Sequence, residues 1–121
     1  MRSLALACSV MVITLLAGSA NAAISTQRAQ LYSALLAQPN SLALNQQYAN
    51  LCITENDYEA AIPPLERLVA LQPNNALLRL RLGQMYQGLG TQPMAQKYFT
   101  EAYNHPYASA EIKSKAQGYM R

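Results

Sequence analysis

The sequence predicts an all-α fold: a solenoid of about two helical hairpins with one extra helix at each end. Three observations carry that prediction. Apolar and small residues recur with a period of thirty-four residues. Within each period the apolar positions step at helical spacing, by three and four. The breaks between those stretches are built from Asn, Pro, Asp, Ser and Gly, the residues that end helices and turn the chain.

The period is read first from "AQPNS" at Ala37 and "LQPNN" at Leu71, which place Pro39 and Pro73 thirty-four residues apart. The same step carries Leu44 to Leu78, Ala49 to Gly83, Leu51 to Met85 and Cys52 to Tyr86. It also carries Ala61 to Ala95, Leu65 to Phe99 and Leu68 to Ala102. Extended backward it sets Leu31 and Ala34 on Leu65 and Leu68, and forward it sets Leu78 and Leu82 on Ile112 and Ala116. A unit of this length cannot bury its apolar face alone and must stack on its neighbours.

Taken in order, helices are expected over Thr26–Gln38, Leu42–Thr54, Asp57–Leu71, Ala76–Gly88, Gln92–Asn104 and Ala108–Met120. Ser41, Asn56 or Asp57, Asn75 and Thr91 stand where N-caps are needed. The third helix contains Pro63-Pro64, whose missing N–H groups remove two ladder bonds, so a bend is expected there with a restart at Pro63. The fourth opens as Leu78-Arg79-Leu80-Arg81-Leu82, which alone reads as a half-buried strand. Its residues favour helix, however, and no β-branched residue occurs before Thr91. Leu78, Leu82, Met85, Tyr86 and Leu89 step by four, three, one and three, which is a helical core stripe. The alternation is therefore two stripes superposed, with Leu78 and Leu82 toward the core and Leu77, Arg81 and Gln84 on another face. In the fifth helix Pro93 lies in the first turn, where its missing N–H costs nothing. The sixth carries Glu111, Lys113, Ser114, Lys115 and Gln117, polar enough to cap a solenoid.

Ala49 and Gly83, and Ala61 and Ala95, are small where two helices of a hairpin come closest. With Leu82-Gly83, Tyr86, Gly90, Ala95, Phe99 and Ala102 in the second copy, the pattern resembles the tetratricopeptide repeat. The first copy carries Ala49, Asp57-Tyr58, Ala61-Ile62, Leu65 and Pro73. The tryptophan usual near the start of that repeat is replaced by Asn45 and Arg79. The resemblance covers Leu42 to about Tyr107 and implies a right-handed helical-hairpin solenoid that binds other proteins.

Residues 1–22 read as a signal peptide. Arg2 supplies the positive start, Leu4–Leu16 is apolar apart from Ser9 and Thr14, and Ala20-Asn21-Ala22 is the small-x-small pattern cut by signal peptidase. The apolar run is too short to span a membrane. Cleavage is expected near Ala22, leaving residues 23–121 as one helical repeat domain that is exported and, in a bacterium, periplasmic. Cys8 comes too early in the run to mark lipid attachment. Of the nine Lys/Arg in the chain, Arg2 lies in the leader, so eight remain against six Asp/Glu. That balance leaves no footprint for nucleic acid. Only Cys52 remains after cleavage, so no internal disulfide can form.

Chemistry is sparse. His105, the one histidine, precedes Pro106 in an expected loop and has no acid or nucleophile fixed beside it, so it reads as an exposed turn residue and not as a catalyst. Cys52 shares a repeat position with Tyr86 and reads as a buried, inert thiol. No cluster has the spacing of a metal site, no glycine-rich phosphate loop is present, and neither cofactor nor small-molecule substrate is expected. Tyr48, Tyr86 and Phe99 fall on core positions of the repeat.

The resemblance implies that the first helix of each hairpin lines a groove that receives an extended peptide. Carried over, one stripe is Ala43, Gln47, Asn50 and Thr54 and the next is Leu77, Arg81, Gln84 and Gly88. Gln46, Ile53, Leu80 and Gln87 lie alongside. Gln47, Asn50 and Gln84 can donate to and accept from a peptide backbone, and Arg81 offers a fork for a carboxylate. The peptide-binding set expected from sequence is thus Gln47, Asn50, Leu77, Arg81, Gln84 and Gln87. The competing reading is a solvated polar face with Arg81 lying along its own stem. The lysines of the family's carboxylate-clamp variant are replaced by Gln46 and Leu77, so that variant is not expected, and Arg79 is placed at the helix flank. The function expected is a non-catalytic adaptor for a partner polypeptide. The alternative is a periplasmic component of outer-membrane assembly or secretion machinery, partnered with an outer-membrane β-barrel protein.

Overall fold

The computed structural model describes residues 26–120, and these are all-helical. The signal peptide expected over residues 1–22 lies outside the described residues. Helix α1 spans residues 26–37, followed by α2 (Leu42–Thr54), α3 (Tyr58–Leu71), α4 (Ala76–Gly88), α5 (Gln92–Asn104) and α6 (Ala110–Tyr119). Consecutive helices from α2 to α6 pack on one another, and α4 also touches α6. Two hairpins, α2–α3 and α4–α5, are thus flanked by α1 and α6, the order of a helical-hairpin solenoid.

Each hairpin turns in the same way because the same position takes a left-handed backbone. Asn56 and Gly90, thirty-four residues apart, have φ of 60° and 76°. Glycine adopts this conformation freely, and asparagine tolerates it better than most residues. In both turns the chain closes as a Schellman motif. The Asp57 amide donates to the Cys52 carbonyl and the Thr91 amide to that of Tyr86, each at 2.9 Å. The caps differ. The Asp57 carboxylate accepts from the Ala60 amide at 3.2 Å, whereas Thr91 makes no side-chain cap bond. Ser41 caps α2 as expected, and Ser109 caps α6.

The helix α3 does not restart at Pro63. It runs unbroken through Pro63 and Pro64. The prolines remove the N–H groups that would meet the Glu59 and Ala60 carbonyls, but Pro64 is itself buried in the hairpin interior, and packing overrides the local preference. Leu89, expected in the core stripe, is instead the C-cap of α4 and 44% exposed.

The core has two parts. One holds Leu35, Tyr48, Ala49, Cys52, Ala61, Leu65, Leu68, Leu78, Leu82 and Met85; the other holds Leu80, Ala95, Phe99, Ala102 and Ala116. At Gly83 there is no room for a side chain, since a Cβ there would stand 2.5 Å from the Phe99 ring. Phe99 also stacks on Tyr119 at 4.7 Å between centroids, which fastens α6. At the opposite end Arg28 of α1 bridges Glu55 and Asp57 at 2.8 and 2.6 Å.

Candidate functional site

The surface formed by α2, α4 and α6 holds two adjoining clefts. One, of about 290 Å³, is lined by Asn50, Ile53 and Thr54 of α2 and by Arg81, Gln84 and Met85 of α4. The other, of about 440 Å³, is lined by Leu77, Leu80, Arg81 and Gln84 of α4 with Ser109, Glu111, Ile112 and Lys115. Arg81 and Gln84 belong to both and form the sill between them.

Helical geometry makes this arrangement. Leu77, Arg81 and Gln84 step by four and three along one face of α4, and Asn50 and Thr54, four apart, share a face of α2. Four of the six residues expected from sequence, Asn50, Leu77, Arg81 and Gln84, therefore line the paired clefts. Gln47 and Gln87 are exposed and line neither. Leu80, expected beside the groove, does line the α4–α6 cleft, at its floor, where it is 1% exposed and joins the core that Ala95, Phe99 and Ala116 form.

The electrostatics single out Arg81. Arg28 is bridged to Glu55 and Asp57, and Lys115 to Glu111 at 3.0 Å. Arg79 donates to the Pro73 carbonyl at 3.0 Å and lies 3.9 Å from Glu101, which confirms its place on the flank. Arg81 is half-buried, yet it forms no ion pair among the described residues. Gln84 is partly committed, since its amide nitrogen donates to the Tyr119 hydroxyl at 3.3 Å. The cleft pair thus offers one unpaired guanidinium among the neutral groups of Asn50, Thr54 and Gln84, the mutually paired Glu111 and Lys115, and the apolar side chains of Leu77, Ile53 and Ile112.

Elsewhere the chemistry is structural. Cys52 is fully buried, and burial pushes its thiol above the ordinary range, which keeps it protonated and inert. The expected exposed turn histidine is corrected: His105 is half-buried, with Nε2 2.9 Å from the Pro73 carbonyl and Nδ1 accepting from the Tyr107 amide at 3.1 Å. A ring nitrogen that accepts an N–H leaves the other to carry the proton, so Nε2–H donates to Pro73. This contact spans two turns and was not foreseeable from the loop sequence. Tyr86 is only partly buried and stacks on Tyr98 at 5.6 Å. Burial, then Glu66, raises both phenols above their ordinary range. Among the described residues no group of His, Cys, Asp and Glu is placed to hold a metal ion, and no helix is long and apolar enough to cross a membrane.

Residues 42–85, which comprise α2, α3 and most of α4, match the tetratricopeptide repeat family. The chain carries a tetratricopeptide repeat. No curated protein matches it. The matched segment contains Ala49, Ala61 and Gly83, the small residues of the repeat interior. It also contains Asn45 and Arg79, which stand where the repeat usually has tryptophan. Those two residues share a task, because each donates to the carbonyl of its own repeat's proline. Asn45 reaches Pro39 at 2.9 Å and Arg79 reaches Pro73 at 3.0 Å. Tetratricopeptide repeats are protein–protein interaction modules, typically without catalytic activity.

Proposed function

We propose that this tetratricopeptide repeat chain is an exported, non-catalytic adaptor that holds an extended segment of a partner protein in the clefts between α2, α4 and α6. The observation that carries this reading is Arg81, a half-buried guanidinium without an acidic partner among the described residues, flanked by Asn50 and Gln84. Such a group loses hydration without compensation until a carboxylate or a set of carbonyls meets it. Asn50, Gln84 and Thr54 supply donors and acceptors for a peptide backbone, and Leu77 and Ile53 supply apolar contact. Export rests on the leader pattern of residues 1–22, and the periplasm follows if the source is a bacterium.

The test is site-specific photocrosslinking in the native compartment. A photoreactive side chain at Thr54 or Leu77 is expected to give a discrete adduct with a partner polypeptide, and one at Arg67, exposed on α3, is expected to give none. Identification of an outer-membrane β-barrel protein in the adduct would place the chain in envelope assembly or secretion. Equal adducts from all three positions would remove the groove reading.

A further inference from the structure

A third cleft, of about 590 Å³, lies at the turn edge and is lined by Leu71, Gln72, Pro73, Asn74, Asn75, Ala76, Tyr107 and Ile112. Ile112 also lines the α4–α6 cleft, so the track that begins at Asn50 continues past Arg81, crosses Ile112 and reaches this edge. The turn at this edge follows the repeat's own pattern: the carbonyls of Gln38, Gln72 and His105 each accept from the amide three residues on, and Pro39, Pro73 and Pro106 come next. Proline suits that position because its φ is preset. The residue after the proline differs. It is Asn40 and Asn74 in the two earlier turns and Tyr107 here, with its side chain 67% exposed. Leu71, also exposed, stands across the same cleft. An exposed ring where the other turns carry asparagine, facing an exposed leucine and adding nothing to the core, places apolar surface at this edge without a folding reason.

The edge is also held rigid. The Pro73 carbonyl accepts from both Arg79 and His105, which ties the α3–α4 turn to the α5–α6 turn. His105 Nδ1 then fixes the Tyr107 amide. An apolar pair mounted on so braced a turn loses little entropy on binding.

We propose that Tyr107, Leu71 and Ile112 form a second subsite, outside the α2–α4–α6 groove. It takes a large apolar or aromatic side chain of the same extended peptide whose acidic group meets Arg81. The occupant is argued from continuity through Ile112 and from the unpaired positive charge upstream, so the proposal rests on the groove reading above. A peptide held by Arg81 and running toward α6 arrives at this cleft, and an apolar side chain there meets Leu71 on one side and the Tyr107 ring on the other.

The test uses blocked synthetic peptides in which a glutamate and a phenylalanine are separated by a spacer lengthened one alanine at a time. A matched set has alanine in place of phenylalanine. Binding to the isotope-labelled chain is followed by amide chemical shifts. At one spacer length the phenylalanine peptide is expected to bind about tenfold or more tightly than its alanine partner, the scale for burying one large apolar side chain. The shifts of Tyr107 and Asn75 should move with those of Arg81 and Gln84. Tyr107→Ala and Leu71→Ser should each abolish the difference between the two sets while keeping the glutamate-dependent shifts at Arg81. If the glutamate shifts appear but no spacer yields a phenylalanine advantage, or if Tyr107→Ala retains it, the second subsite is refuted and the groove stands. If no peptide shifts Arg81 or Gln84, the groove reading fails as well.

Discussion

The two hairpins solve the same packing problem with different residues. In α2–α3 the paired interior positions are Ala49 and Leu65, and in α4–α5 they are Gly83 and Phe99. The larger ring takes the space that the missing Cβ leaves, since a Cβ at Gly83 would stand 2.5 Å from it. On the outer face the same step converts Gln47 into Arg81, Asn50 into Gln84 and Ala43 into Leu77. The first hairpin therefore presents a neutral, polar copy of the surface, and the second presents a charged copy with an apolar flank. The scaffold tolerates both because a repeat constrains summed volume and turn geometry more tightly than residue identity.

The largest expected effect breaks the interior pairing. Gly83→Leu should destabilise by about 3 kcal/mol or more, read by thermal or denaturant unfolding. A milder form sharpens the comparison. Gly83→Ala should cost about 1–3 kcal/mol and Phe99→Leu about 1–2 kcal/mol, yet the double substitution recreates the Ala49–Leu65 pair. It should cost less than the sum by at least about 0.5 kcal/mol. Strict additivity would mean that the two positions are not coupled as the structure places them.

The turn anchors come next. Asn45 is fully buried and donates to the Pro39 and Ser41 carbonyls, whereas the Pro73 carbonyl has both Arg79 and His105. Asn45→Ala should therefore cost about 1–3 kcal/mol and Arg79→Ala less than about 1 kcal/mol. The reverse order in a denaturant series would show that the second turn, not the first, depends on one anchor.

The caps supply a gain instead of a loss. Thr91 has φ and ψ of −88° and 76°, close to −91° and 74° at Asp57, but lacks the cap bond. Thr91→Asp should reach the Met94 amide and raise stability by about 0.5–1 kcal/mol. The Asp57 carboxyl is held below its ordinary range by the Arg28 guanidinium first and then by the Ala60 amide. A carboxylate lowered in the folded state stabilises above its unfolded pKa, about 3.9, and that contribution is lost as pH falls through the folded value. Unfolding followed below about pH 4 should thus show a loss that Asp57→Asn removes. The exposed, solvent-screened setting of Asp57 keeps this effect small.

Much of the fold was legible in the sequence. The bounds of α2, α4 and α5 follow from periodicity and turn residues because those signals are local, although of their expected caps only Ser41 forms its side-chain bond. Cys52 is buried as expected, while Tyr86, one repeat on, is only partly so. The failures have physical causes. Pro63-Pro64 reads as a bend with a restart at Pro63, but α3 runs on without restarting and Pro64 is buried in the hairpin. Leu80 reads as a groove neighbour and does line the cleft, but nothing in the sequence signals that it is also buried in the core beside α6. Arg79 and His105 do lie at the flank and in the loop as read, but their meeting at Pro73 is a contact between distant turns that no local pattern encodes. The clefts were half legible: the four-and-three stripe located Arg81, Gln84, Leu77 and Asn50, whereas the lack of an ion pair at Arg81 among the described residues depended on Glu111, Glu101 and Glu55 facing other cations.

The most direct measurement replaces Arg81 by the residue its own repeat carries in the first copy. Arg81→Gln should leave melting within about 0.5 kcal/mol of the parent, because the side chain is bonded to nothing in the core. It should also sharply reduce the partner adduct formed from a photoreactive group at Thr54 in the native compartment. Arg67→Gln, which removes the same charge from α3, should leave that adduct intact. An undiminished adduct in Arg81→Gln, or an equal loss in both variants, would contradict the assignment of the binding surface to the clefts around Arg81.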